Sequence, residues 1–300
     1  MDKIVQIDNR ELKLTNLDKQ YWPEGYTKGD LLAYYAQVAP ILLPYIKDRP
    51  LTMKRYPNGI EGHFFYQKEC PEYAPEWIRT TPIPSDDQEK VTNYILIEDQ
   101  ASLMWVINQG CIEVHCPLST VDSLQSPNLA IFDLDPAEPA NYDDAIDLAL
   151  LIKAAMQEFG LQLFPKISGA TGLHILLPLN PIYTYAEVRT ALLFICELIV
   201  SHHPQKATLE HRVKDRTGKV YLDYLQNAWG KNMAWVYSLR PEPGAPVSCP
   251  LSWEEIEQGR LKPGDINITN LTERLQQVGE LYAGMLNLKQ ELKPILDLVN

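Results

Sequence analysis

The sequence predicts an α+β fold in a single compact unit of 300 residues, and three features predict it. Segments with helical periodicity and segments with strand character both occur throughout the chain. No internal repeat or low-complexity linker interrupts them. The 23 prolines are spread through connecting segments rather than gathered in a hinge.

The elements follow in order. Thr27 to Ile46 reads as the first long helix, with Thr27 as N-cap, Asp30 as its capping-box partner, and Leu31, Leu32, Tyr35, Val38 and Leu42 as the apolar stripe. Leu51 to Arg55 is strand-like, Gln100 to Asn108 helical and Cys111 to His115 strand-like. Leu129 to Leu134 is a strongly apolar strand. A helix follows, capped by Asn141 with Asp144 at N3 and stopped at Gly160. Leu161 to Ile167 and Leu173 to Leu179 read as strands around a glycine-containing turn. Tyr185 to His202 reads as a helix, and Lys219 to Leu225 and Met233 to Leu239 as strands. Beyond Pro250 the chain reads as helical and peripheral.

Composition narrows the function. No apolar run approaches the roughly 18 residues of a membrane span. The first residues, MDKIVQIDNRELKL, lack the apolar core of a signal peptide, so a cytoplasmic protein with no membrane partner is expected. Five cysteines without a CxxC pair argue against a disulfide framework. Cys111, His115 and Cys116 lie close in sequence, but on a strand Cys116 faces away from the other two, which disfavours zinc. A net charge of -12 means that any contact with nucleic acid rests on local basic patches and bound cations.

The most informative stretch is Ala130-Ile131-Phe132-Asp133-Leu134-Asp135-Pro136. Alternation places Asp133 and Asp135 on one strand face, about 7 Å apart, with Phe132 and Leu134 on the other. Divalent cations relieve the repulsion of such a pair, and oxygen ligands suit Mg²⁺ or Mn²⁺. A solvated strand end is the plainer reading of a DxD alone. A second aspartate, Asp223, interrupts the apolar strand Val220-Tyr221-Leu222-Asp223-Tyr224-Leu225, where a charge is costly without a partner. A sheet that paired the two strands could hold two metals roughly 4 Å apart between three carboxylates.

The segment Lys166-Ile167-Ser168-Gly169-Ala170-Thr171-Gly172-Leu173-His174 could cradle an anion, with hydroxyls from Ser168 and Thr171 and a donor from His174. It matches neither a Walker A nor a Rossmann fingerprint, and an ordinary hairpin turn stands as the other reading. Arg212, Lys214 and Arg216 alternate as if on one face of an extended segment before Asp223, and Lys54 and Arg55 sit together at a strand end.

Taken together these segments resemble the polymerase domain of bacterial DNA ligase D, in the archaeo-eukaryotic primase superfamily. The matching stretches are LTNLDK (14–19), TKGDLLAYY (27–35), RPLTMKRYPNG (49–59), FYQKECPEYAPEW (65–77), IEVH (112–115), FDLDP (132–136), SGATGLH (168–174), VYLDYLQN (220–227), YSLR (237–240) and PGAPVS (243–248). They run in family order through nearly the whole chain.

The resemblance implies one polymerase domain of primase-polymerase fold: an N-terminal α/β module (1–118), an RRM-like catalytic core (119–250) and a peripheral helical C-terminus (251–300). It implies nucleotide addition, often of ribonucleotides with manganese, at gaps and double-strand break ends in non-homologous end joining. NTP or dNTP, DNA ends or gaps with a 5′-phosphate, Ku and a DNA ligase are the implied partners, in the bacterial cytoplasm at the nucleoid. Asp133, Asp135 and Asp223 carry over as catalytic ligands of a two-metal Mn²⁺ or Mg²⁺ site. Lys54, Phe65, Tyr66, His115, Ser168, His174, Arg216, Gln226 and Lys231 carry over as nucleotide-site positions. Phe65 and Tyr66 match an aromatic pair that stacks on the incoming base, with core packing as the other reading for Phe65. Asn16, Lys19 and Lys28 match a pocket for a DNA 5′-phosphate.

The chain departs from the pattern at Thr171, where the family usually has lysine, and at Asn232, Met233, Trp235 and Val236. It has no KxDG ligase motif. Two other functions fit parts of the pattern. An end-binding scaffold that recruits Ku or ligase would need the lysines more than the aspartates. A DxD glycosyltransferase would share the metal logic but would not call for Asp223, the basic stripe or the phosphate pocket.

Overall fold

The computed structural model describes residues 2–84 and 89–299, which form two compact units. The first takes the described residues up to 122, with 232–248 and 267–279, and the second takes 123–231, 249–266 and the described residues from 280 onward. The chain therefore crosses back twice, where the resemblance implied three successive blocks. No described helix is long and apolar enough to cross a membrane.

The first unit opens with a hairpin of β1 (Lys3–Ile7) and β2 (Arg10–Leu14). Its turn residues Asp8 and Asn9 have φ of 49° and 61°, the positive values that a tight two-residue hairpin needs. Helix α1 (Lys28–Ile46) starts in the expected capping box of Thr27 and Asp30. It runs through Pro40, which cannot donate to the carbonyl of Ala36; the side chain of Gln100 donates there instead, at 3.3 Å. The strands β3 (Thr52–Arg55) and β4 (Phe65–Gln67) follow, then a second hairpin of β5 (Thr80–Pro84) and β6 (Val91–Ile95), helix α2 (Gln100–Asn108) and β7 (Cys111–Cys116). The second unit begins with β8 (Leu129–Pro136), α3 (Tyr142–Glu158), β9 (Phe164–Ile167) and β10 (Leu173–Pro178). It continues with α4 (Tyr185–His202), β11 (Ala207–Thr208) and β12 (Val220–Leu222). Strand β13 (Met233–Ala234) then returns to the first unit, α5 (Trp253–Gln258) belongs to the second, α6 (Leu271–Val278) to the first and α7 (Lys293–Val299) to the second.

The sheet of the first unit has the order β13-β7-β3-β4, and every neighbouring pair is antiparallel. The sheet of the second unit has the order β11-β12-β8-β10-β9, with β8 flanked on both sides. One face of that sheet supplies Phe132, Leu134, Ile175 and Leu222 to a core closed by Ile152 of α3, Leu192 of α4 and Ile295 of α7. The opposite side chains of β8, Asp133 and Asp135, are thereby left on the face away from these helices.

Several boundaries differ from the sequence reading. The strand expected from Lys219 to Leu225 ends at Leu222, and a 3₁₀ turn takes Tyr224–Gln226. The strand expected over Met233 to Leu239 shortens to two residues. Arg212, Lys214 and Arg216 do not alternate on an extended segment, because a 3₁₀ turn occupies Val213–Asp215. The C-terminal segment is not uniformly peripheral, since Leu292 and Ile295 are fully buried in the second core.

Asn227 replaces the missing end of β12. Its side chain accepts a hydrogen bond from the Ile131 N–H at 2.8 Å and donates to the Ile131 carbonyl at 2.7 Å, continuing the ladder along β8 without a strand. Truncating it leaves two buried backbone groups without partners. Asn227→Ala is therefore expected to cost about 2–4 kcal/mol in a urea unfolding titration. A loss below about 0.5 kcal/mol would show that the ladder holds without this side chain.

Candidate active site

In the second unit, register builds a row of charged side chains. Tyr221 pairs with Asp135 and Leu222 with Leu134, and the next N–H, that of Asp223, donates to the Asp133 carbonyl at 2.8 Å. Asp133, Asp135 and Asp223 thus share one sheet face, and all three are partly exposed. On the other side of β8, His174 pairs with Asp133 and places Nε2 3.3 Å from Asp133 Oδ1. Lys166 of β9 pairs in turn with His174 and is fully buried. The Tyr221 hydroxyl donates to Asp223 Oδ1 at 3.0 Å. Burial pushes the Tyr221 phenol pKa up, and the neighbouring carboxylate adds to the rise.

Arg216 lies over the Tyr221 ring, 3.7 Å from its centroid, with Nη1 4.0 Å from Asp135 Oδ2. Its remaining donors reach the Glu210 carbonyl at 2.9 Å and the His211 carbonyl. Arg212 and Lys214 are exposed and separate from this contact. Gln226 ends the 3₁₀ turn after Asp223, and Lys231 is exposed.

The turn from β9 to β10 packs against β8. Ser168 Oγ accepts from the N–H groups of Ala170 and Gly172, at 3.2 and 3.1 Å, so the hydroxyl first shapes its own turn. A Cβ on Gly172 would lie 2.5 Å from the Leu134 carbonyl oxygen, so only glycine fits where the turn meets the carboxylate strand. Thr171 is exposed at the tip.

The donor set of this face suits hard dications: three carboxylates, part solvated, with one histidine and one arginine alongside. The carboxylates share the face without being gathered. As the side chains stand, no group of three His, Cys, Asp or Glu among the described residues could hold a metal ion.

The first unit carries two further clusters, one on each face of β3. Lys54 pairs with Glu113 on β7 and with Tyr66 on β4. Its Nζ lies 2.5 Å from Glu113 Oε2 and faces the rings of Phe64, Tyr56 and Tyr66 at 4.8, 5.5 and 5.9 Å. His115 Nε2 and Arg240 Nε approach Glu113 Oε1 at 3.5 and 2.7 Å. Burial alone would raise the Glu113 carboxyl pKa, but His115, Arg240 and Lys54 outweigh it and hold the pKa down at about 2.

The neighbouring residue Arg55 turns to the other face. Its guanidinium lies 5.3 Å from the Phe65 ring centroid and its Nε donates to the Gln109 carbonyl at 2.7 Å. The aromatic pair is therefore split: Tyr66 stands with Lys54 and His115, and Phe65 with Arg55. Phe65 is exposed, which overturns core packing for it.

Arg55 also lines a cavity of about 210 Å³ with Thr15, Asn16, Lys19, Lys28 and Gln109. Asn16, at φ 57°, turns the chain there. Lys19 Nζ donates to the Pro57 carbonyl and to Asn58 Oδ1 at 2.5 and 2.6 Å. Lys28 is buried, with Nζ 3.3 Å from Thr15 Oγ1. Its pKa falls to about 8, through burial first and then the nearby Lys19.

Sequence reasoning missed Glu113 and Arg240 as members of these clusters, whereas it named Arg55 beside Lys54 and placed Lys166 in the anion-cradling segment. Glu113 carried the same signal as Asp223, an acid inside an apolar strand, and Lys166 was its basic counterpart in β9.

The chain is similar to known proteins over most of its length. A family model described as the LigD primase-polymerase domain matches residues 27–282. The bifunctional non-homologous end joining protein LigD of Bacillus subtilis is 34% identical over 271 residues, which are 90% of this chain and 43% of that protein. The multifunctional LigD of Mycolicibacterium smegmatis is 32% identical over 91% of this chain and 36% of its own length. The chain thus spans less than half of these curated relatives. Among solved structures, the polymerase domain of Mycobacterium tuberculosis ligase D in complex with DNA matches with a TM-score of 0.85 and 28% identity, over 92% of this chain and 98% of that one.

Proposed function

The chain belongs to the LigD primase-polymerase family, and from that premise we propose that it is a metal-dependent nucleotidyltransferase. It would add nucleotides, ribonucleotides by preference, at gaps and double-strand break ends in non-homologous end joining. One observation carries the reading: Asp223 is registered against Asp133, so that three carboxylates share the sheet face opposite the one packed on α3, α4 and α7. Membership of this family sets the DxD glycosyltransferase aside.

Asp133, Asp135 and Asp223 would hold Mg²⁺ or Mn²⁺, which when bound lowers the pKa of an attacking hydroxyl and offsets charge on a leaving pyrophosphate. The chain's own residues have separate tasks. His174 contacts Asp133 and Arg216 contacts Asp135, so each acid keeps a cationic or hydrogen-bonding neighbour that limits its repulsion of the others. Arg216 is held over Tyr221 and by two carbonyls, a preorganised cation for a phosphate oxygen. Ser168 fixes the turn that bears on β8, and Gln226 and Lys231 follow Asp223 as further nucleotide contacts. In the first unit, Lys54 and His115 are assigned to the phosphate tail, and Tyr66 to stacking on a base. The cavity of Asn16, Lys19 and Lys28, with Arg55, is assigned to a DNA 5′-phosphate. Ku and a DNA ligase are the proposed working partners, in the bacterial cytoplasm at the nucleoid, and the end-joining names of the relatives support the repair process itself.

Gap filling on 5′-phosphorylated DNA, with NTP and dNTP and with each metal, tests this reading. Extension is expected, and Asp135→Ala or Asp223→Ala should lower it on the order of 100-fold or more while the circular dichroism spectrum stays that of the wild type. Undiminished extension by either variant would remove the metal assignment. If the protein bound gapped DNA tightly yet extended nothing, the end-binding scaffold would take its place.

The low pKa of Lys28 gives a pH signature. Lys28 is charged below about pH 8 and loses its proton above it, and a bound phosphate favours the charged form. The preference for a 5′-phosphate over a 5′-hydroxyl gap should therefore decline between about pH 7 and about pH 9, by at most about tenfold per pH unit for one proton. Lys28→Gln should flatten the profile, and a wild-type preference constant over this range would mean that Lys28 takes no part.

A further inference from the structure

Glu113 is an acid at the centre of a basic group. Its side chain is 0% exposed, whereas those of Lys54, His115 and Arg240 are 14%, 13% and 18% exposed. The three basic side chains are therefore each partly exposed and the acid is not. One negative charge is set against two permanent positive charges and a histidine, so the surface that the cluster shows is cationic in a chain of net charge -12. The heads are also held in place. Lys54 is enclosed by three aromatic rings, and the Tyr56 hydroxyl donates to Glu113 Oε2 at 3.4 Å. The segment that brings Arg240 is tied to β7, where Ser238 Oγ accepts from the Val114 N–H at 3.0 Å. Without the acid, the three heads would repel one another and disperse into solvent, and a buried carboxylate with no task beyond packing is unfavourable.

We propose that Glu113 is a positioning residue, an internal counterion that holds Lys54, His115 and Arg240 together as a cradle for a polyphosphate, the tail of a nucleoside triphosphate. This rests on the polymerase reading for the identity of the nucleotide. The choice of polyphosphate over a single phosphate follows from several fixed cations around one acid, since a monophosphate needs fewer. Glu113 touches no substrate and acts only through the three basic side chains.

Glu113→Gln keeps the shape and removes the charge, with an amide NH2 in place of one of the two accepting oxygens. Two readouts follow: binding of inorganic tripolyphosphate by calorimetry, and KM against kcat for the nucleotide in gap filling. The expected result is a loss of tripolyphosphate affinity and a rise in nucleotide KM of about tenfold or more, with affinity for a 5′-phosphorylated gap unchanged within about twofold. The effect should also be non-additive with Arg240→Gln, the double variant losing less than the sum of the two single losses, because one of the three side chains through which Glu113 acts is then gone. That double variant loses one charge of each sign, so it can be measured even if the single variant does not fold. An unchanged KM, an equal loss of gap binding, or additive losses would make Glu113 a packing residue and end the proposal. If tripolyphosphate binding follows the expected pattern while the wild-type protein extends no primer, the polymerase reading fails and the cradle stands.

Discussion

The antiparallel pairing of β12 with β8 is the constraint on which the acidic face depends. A strand of alternating residues places two aspartates on one face by itself. A third acid from elsewhere in the chain joins them only if the register is fixed, and a slip of one residue would turn it into the core. Three contacts fix it. Leu222 and Leu134 meet in the ladder and share the packed core, the Asp223 N–H closes on the Asp133 carbonyl, and Asn227 continues the ladder to Ile131. Gly172 completes the support from the other side, because any side chain there would strike the Leu134 carbonyl. Mutual repulsion of the acids works against this arrangement, and the apolar face of the same strands offsets it.

A different use of alternation organises the first unit. Lys54 and Arg55 are neighbours in sequence and point to opposite faces of β3. One enters the Glu113 cluster and the other lines the cavity of Lys19 and Lys28. The aromatic pair on β4 divides in the same way, because Tyr66 is registered with Lys54 and Phe65 with Arg55. Two adjacent residues of one strand therefore supply cations to two separate clusters, each with its own aromatic surface.

The sequence was legible where local rules decide the outcome. Capping boxes at Thr27, Asn141 and Thr184 set helix starts that side-chain and backbone hydrogen bonds determine within four residues. The acids of β8 and Asp223 stood out because apolar runs make a charge conspicuous. Legibility failed where a partner distant in sequence decides. β12 ends at Leu222 because the Asn227 side chain takes over its hydrogen bonds, which no propensity encodes. Arg216 leaves an apparent alternation because two carbonyls and the Tyr221 ring capture it. Asp8 and Asn9 form a tight turn without the usual glycine. Glu113 was overlooked although it broke an apolar strand just as Asp223 does, and its three partners come from β3, from β7 itself and from the segment after β13.

Net charge predicts little about such a protein, since what a phosphate meets is a local sum. An acidic chain could present cations simply by clustering them, but clustered cations repel, sample many rotamers and draw in surface carboxylates. Placing one acid beneath them solves the three problems together. The acid is out of reach of solvent and therefore strong in its effect, it draws the cationic heads to one point, and it leaves the cluster with a positive excess. The energetic cost of burying that carboxylate is met by the same contacts that orient the cations. A fourth cation at this position would raise the charge of the cluster but scatter its geometry. An acid at position 113 is thus the arrangement that lets a chain of net charge -12 offer a fixed cationic surface.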